Sequence, residues 1–142
     1  MAELISLLGR IVYLDTNIFI YAVEGYQPEQ AFMGEFLAEL ERGGFAAVTS
    51  EFTLAELLVK PFELGRQDVV SAYAGLLQPS DRLAVVPVDR TILVEAARQR
   101  ATLGMRMPDA IHVATALAAG CDAFLTNDRR LRLPPTIARH LI

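Results

Sequence analysis

Short apolar runs alternate along this chain with longer stretches in which apolar residues recur every three or four positions. The first run, 11–14, is closed by Asp15-Thr16-Asn17 and reads as a buried strand turning into a helix that begins with Ile18, Phe19, Tyr21 and Ala22. Pro28 suits a first helical position, and Phe32, Phe36, Leu37 and Leu40 follow at helical spacing until Gly43-Gly44 stops the helix. Residues 45–48 predict a second strand. Thr49-Ser50 then offers a cap for a helix over 51–60 that Pro61 interrupts. A helix over 67–77 and a third strand over 83–88 come next. Asp89 caps a helix over 90–103, because its carboxylate accepts the free amide hydrogens of the first turn. Gly104 closes that helix. Pro108 opens another over 109–119, ended by Gly120, and 123–126 is a fourth strand. Asn127-Asp128-Arg129 starts a turn or short helix. After Pro134-Pro135, residues 137–142 read equally as an edge strand or a terminal helix.

Short strands alternating with helices of ten or more residues are the signature of βαβ units around a parallel sheet. The expectation is a single three-layer α/β/α domain over residues 1–142, with no repeat, low-complexity tract or linker.

Composition narrows the picture. The apolar share of 53% lies above the usual figure of about 45–50% for a globular chain, and mean hydropathy is +0.33. Part of that excess, around Phe19, Tyr21, Phe32 and Phe36, is available for an interface. The apolar stretch 4–8 lacks the length and flanks of a signal peptide, and no later run approaches the roughly 18 uncharged residues of a membrane helix. A cytoplasmic protein is expected. The single cysteine, Cys121, permits no internal disulfide, which suits a reducing compartment. A net charge of −4 opposes a general electrostatic grip on nucleic acid, so such a partner needs another source of positive charge.

In open parallel sheets ligands bind beyond the carboxyl ends of the strands. Asp15 follows the first strand directly and Asp128 follows the fourth by two residues, while Glu56 and Asp109 lie early in helices that can reach the same rim. Each has an ordinary structural role open to it: turn or cap for Asp15 and Asp128, capping box with Thr53 for Glu56, first-turn charge for Asp109. Only the fold can gather residues so far apart in the chain.

Four segments carry more than periodicity. Tyr13-Leu14-Asp15-Thr16-Asn17, the stretch from Ser50 to Leu58 containing Glu56, the stretch from Pro108 to Leu117 containing Asp109, and Leu125-Thr126-Asn127-Asp128 stand in order across nearly the whole chain. Together they resemble the acidic motifs of PIN-domain ribonucleases, above all the VapC-type toxins of toxin–antitoxin pairs. The resemblance implies a parallel five-stranded sheet between helices and endonucleolytic cleavage of RNA with Mg²⁺ or Mn²⁺. It assigns Asp15, Glu56, Asp109 and Asp128 as metal ligands or water-holding acids, with Glu56 acting through water, and Asn17 and Thr126 as polar support. It also implies a homodimer and a small cognate antitoxin, and product ends of 5′-phosphate and 3′-hydroxyl.

The donor types suit that chemistry, since hard cations such as Mg²⁺ prefer oxygen ligands whereas zinc favours His or Cys. Four carboxylates without a cation repel and raise one another's pKa. Whether one ion or two is held stays open at this point. His112 lies one helical turn from Asp109 and reads as a packed core or rim histidine before it reads as a ligand. Glu51 complements a helix dipole, Asp89 and Asp122 read as cap and turn, and Arg129 and Arg130 as a solvated pair. Two alternatives remain: a non-catalytic PIN-fold interaction module, and an α/β phosphatase or phosphoacceptor using Asp15. The dehalogenase-like form of the latter wants a second Asp where Asn17 stands.

Overall fold

A computed structural model describes residues 3–25 and 30–142. A 3-10 turn, Leu4–Leu7, leads into β1 (Ile11–Leu14), α1 (Thr16–Glu24), α2 (Gln30–Arg42), β2 (Ala46–Ser50), α3 (Glu51–Glu63) and α4 (Gln67–Leu76). Then follow β3 (Leu83–Val86), α5 (Arg90–Leu103), α6 (Met107–Ala118), β4 (Ala123–Thr126) and β5 (Ala138–Leu141). The five strands form one sheet in the order β3-β2-β1-β4-β5, and every neighbouring pair is parallel.

Alternation along the central strands splits the core into two layers. Val12, Leu14, Ala47, Ala123 and Leu125 pack with Ile18 and Phe19 of α1, Phe36 of α2, Leu57 of α3 and Tyr73 of α4. Tyr13, Val48 and Phe124 pack on the other face, with Ile92 and Ala96 of α5 and with Ala110, Val113 and Ala114 of α6. Both faces of β4 are therefore covered, which is why its sequence reads as a continuous apolar run rather than as an alternating one.

The cap signals act as their chemistry requires. Ser50 Oγ accepts from Phe52 N at 3.0 Å, and Asp89 Oδ1 accepts from Ile92 N at 2.9 Å. Gly104 closes α5 in the left-handed region at φ 71°, where a side chain is costly.

Several expectations change. The third helix does not break at Pro61 but runs to Glu63. Proline removes only the hydrogen bond to the carbonyl four residues back, and here its buried ring lies in the final turn, with Leu64 N donating to Lys60 O at 3.1 Å. The second strand extends through Ser50 because Ser50 stands in register with Val86, and β3 stops at that same pair. The C-terminal segment is a strand: β5 pairs along β4, with Ala138 N donating to Asp122 O at 3.0 Å and Ile142 N to Thr126 O at 3.1 Å. Phe19, Phe32 and Phe36, read as a reserve for an interface, are buried in the core. The exposed large apolar side chains include instead Val59, Phe62 and Leu64 at the end of α3 and Leu93 and Val94 on α5. The placement of Pro28 at a helix start lies outside the described residues.

Candidate functional site

The chain moves outward from β1 to β2 and β3, then crosses to the opposite side of β1 for β4 and β5. The carboxyl ends of β1 and β4 thus flank the point where strand order reverses, the usual seat of a ligand in an open parallel sheet. Asp15 leaves β1 there. Its Oδ1 caps α1 by accepting from Thr16 N at 2.8 Å, and its backbone N–H donates to Leu125 O at 3.0 Å.

Asp15 Oδ2 accepts from Thr126 Oγ1 at 2.6 Å and from Asn17 Nδ2 at 3.2 Å. Asn17 Oδ1 in turn accepts from Asn127 N at 3.2 Å, so Asn17 straddles the loops after β1 and β4. Asp128 N donates to the same Thr126 hydroxyl at 3.0 Å, and Asp128 Oδ1 accepts from Arg130 N at 2.8 Å. The turn that carries Asp128 is further held by β5, where the Arg139 guanidinium donates to the carbonyls of Arg129 and Leu131.

Asp109 enters from the first turn of α6, which starts with Met107-Pro108 and so sacrifices no amide that the helix needs. Burial pushes its carboxyl above the usual range; Arg106, at 3.8 Å, pulls the other way, and the charges of Asp15 and Asp128 add to the rise.

Glu56 projects from the second turn of α3. Its Oε1 accepts from Thr16 Oγ1 at 2.7 Å and from His112 Nε2 at 2.6 Å. Burial raises its pKa, but the hydrogen bond and charge of His112, then the Thr16 hydroxyl, outweigh that effect and leave it below the ordinary value. His112 is only 3% exposed and its Nδ1 lies 2.6 Å from the Tyr13 hydroxyl. It is a packed histidine bonded at both ring nitrogens. Burial, followed by the charge of Asp15, holds the Tyr13 phenol well above its usual pKa.

The structure joins Asp15, Asn17, Thr126 and Asp128 in a single hydrogen-bonded group, with Glu56 linked to it through Thr16, whereas Asp109 stands outside that group and faces Arg106. Thr16 and Tyr13 were not singled out by sequence reasoning. Thr16 had a signal in its place beside Asp15. Tyr13 had only its period-two alternation, which turns it away from Val12 and Leu14 toward α6.

A hard divalent cation fits the chemistry of this donor set. The donors at the rim are carboxylate oxygens, and a cation would favour the ionised form of Asp109, which burial and the nearby acids disfavour. Among the described residues no three acidic, imidazole or thiol groups stand close enough together to enclose an ion. Mg²⁺ commonly keeps several waters and takes only one or two carboxylates, so separated carboxylates are compatible with it. Soft ligation has no donor at the rim: Cys121 lies before β4, at the opposite end of the sheet, and burial, then Asp122, pushes its thiol up to about 12.

A model of the PIN domain family matches residues 12–135. No curated protein sequence matches the chain. Solved structures of similar fold include the VapBC2 complex from Rickettsia felis bound to a promoter DNA fragment, at TM-score 0.71 and 16% identity, covering 93% of this chain and 98% of that one. DNA-bound VapBC from Salmonella typhimurium aligns at TM-score 0.69 and 22% identity, covering 92% and 97% of the two chains. VapC20 from Mycobacterium tuberculosis, a sarcin–ricin loop cleaving toxin, aligns at TM-score 0.63 and 16% identity over 80% and 86%. At these identities the likeness is one of fold.

Proposed function

The chain belongs to the PIN-domain family, and on that premise we propose that it is a divalent-metal-dependent endoribonuclease, the toxin of a toxin–antitoxin pair. The observation that carries this reading is that Asp15 and Asp128 share the buried Thr126 hydroxyl at the strand-order reversal, with Asp109 in the first turn of the neighbouring α6. Asp15, Asp109 and Asp128 are the residues that would hold Mg²⁺ or Mn²⁺, and Glu56 would contribute through a water.

When bound, such an ion would supply the positive charge that a chain of net charge −4 lacks for gripping an RNA phosphate, and would make a bound water more acidic. The protein's own groups do the rest. Thr126 and Asn17 fix the rotamer of Asp15 by donating to one of its oxygens. Glu56 has one oxygen held by Thr16 and His112, and its carboxylate can accept a hydrogen bond from water. Asn17 ties the two loops so that the acids on β1 and β4 keep their spacing.

Partners follow from the same reading: an RNA substrate, a cognate antitoxin and a second copy of the chain as homodimer. The fold likeness to proteins solved as VapBC complexes supports the antitoxin, and exposed Val59, Phe62 and Leu64 give apolar surface for association. Incubating the pure protein with RNA in Mg²⁺, Mn²⁺ or EDTA tests the activity. Metal-dependent cleavage leaving 5′-phosphate and 3′-hydroxyl ends is expected, and cleavage indifferent to EDTA refutes it.

A further inference from the structure

Three elements meet in a buried chain that ends on Glu56. Tyr13 comes from β1, His112 from α6 and Glu56 from α3, and the two links, Tyr13 Oη to His112 Nδ1 and His112 Nε2 to Glu56 Oε1, are each 2.6 Å. A carboxylate only accepts hydrogen bonds, so Nε2 carries a hydrogen and donates in either charge state of the ring; in the neutral imidazole Nδ1 accepts from the Tyr13 hydroxyl, and in the imidazolium it donates to it.

The ring has little freedom to leave this arrangement. Tyr13 stacks on Phe124 with centroids 4.7 Å apart, and His112 stands edge-on to both Tyr13 and Phe52 at 5.7 Å. Packing fixes the imidazole, and the imidazole fixes the carboxylate. Glu56 Oε1 is thereby held by two donors, Thr16 and His112, while Oε2 makes no hydrogen bond among the described residues.

Building on the nuclease reading of the rim, we infer that His112 is a positioning residue for Glu56. Through Nε2–H it holds one carboxylate oxygen, with its ring held in turn by the Tyr13 hydroxyl, which leaves the other oxygen available to a water that a bound ion would carry. A histidine that served only to fill space needs neither link, and leucine would replace it. A histidine that orients a ligand's partner needs the donor at Nε2, and the side-chain amide of glutamine can supply one at similar reach.

The test uses the full chain. In ¹⁵N-histidine-labelled wild type without metal, long-range proton–nitrogen spectra are expected to show His112 as the Nε2–H tautomer, and Tyr13→Phe to lose that preference. Mn²⁺ titration followed by EPR is expected to give binding weakened about tenfold to a hundredfold in His112→Leu, with His112→Gln recovering most of the loss. In RNA cleavage kcat falls with His112→Leu and KM is unchanged. Melting curves verify the folded fraction, and if His112→Leu does not fold, Tyr13→Phe and His112→Gln carry the comparison against wild type. An Nδ1–H tautomer in the wild type, or equal Mn²⁺ affinity in all the folded variants, overturns the inference. Failure of the wild type to cleave RNA refutes the nuclease reading instead, and the tautomer and Mn²⁺ affinity still decide the role of His112.

Discussion

Thr126 Oγ1 donates to Asp15 Oδ2 across 2.6 Å and accepts from Asp128 N at 3.0 Å, so one fully buried hydroxyl at the end of β4 serves acids from two separate loops. Thr126→Val keeps the shape and removes both bonds. Leaving the partners of a buried hydroxyl unsatisfied costs about 1–3 kcal/mol, so urea denaturation is expected to show a lower midpoint with unchanged m, and initial cleavage rates are expected to fall at matched folded fraction. An unchanged midpoint and rate would mean that this hydroxyl does not organise the rim.

Acidity separates Asp109 from Glu56 in the metal-free protein. The Asp109 pKa is raised on folding, so its ionised form opposes the fold above that folded pKa and the penalty vanishes below the unfolded value. In EDTA, Asp109→Asn is therefore expected to melt higher than wild type at neutral pH, with the gap closing as pH falls into the carboxylate range. Differential scanning calorimetry over a pH series reads this directly.

Glu56 behaves in the opposite sense. Its pKa is lowered on folding, so its contribution is present above the unfolded value and is lost as pH falls through the folded one. Glu56→Gln is expected to cost stability at neutral pH and nothing in strong acid. A stability difference that is independent of pH would contradict the pairing with His112 and Thr16 as the source of that shift.

Gly120 gives a control far from the chemistry. It follows α6 at φ 72°, and an added Cβ would meet no atom within 4 Å. Gly120→Ala is expected to lose about 1 kcal/mol from the left-handed backbone alone, measured by chemical denaturation, with RNA cleavage per folded molecule unchanged. A fall in specific activity would show that the rim responds to stability in general.

The sequence shows most plainly what local chemistry decides. Runs such as Ala123–Thr126 announce strands, and Ser50, Asp89 and Gly104 mark helix ends because caps and left-handed turns need those side chains. Pro61 misleads, since a proline in a last turn costs one bond and buries its ring, which local pattern cannot reveal. The terminal segment is a strand only because β4 offers it an edge. The four acids are visible through the order of their motifs, whereas the Tyr13–His112–Glu56 chain depends on packing between residues far apart in sequence.

On the proposed function, Asp15 and Asp109 act together to hold a divalent cation that enables RNA cleavage. The most direct measurement compares Mg²⁺-dependent RNA cleavage by wild type, Asp15→Asn and Asp109→Asn in one assay, with EDTA and with Mg²⁺ restored in excess. The expected result is cleavage by the wild type that EDTA abolishes and Mg²⁺ restores, and a loss on the order of a hundredfold or more in each variant, with melting temperatures showing both variants folded. Cleavage that survives EDTA and both substitutions would contradict the account.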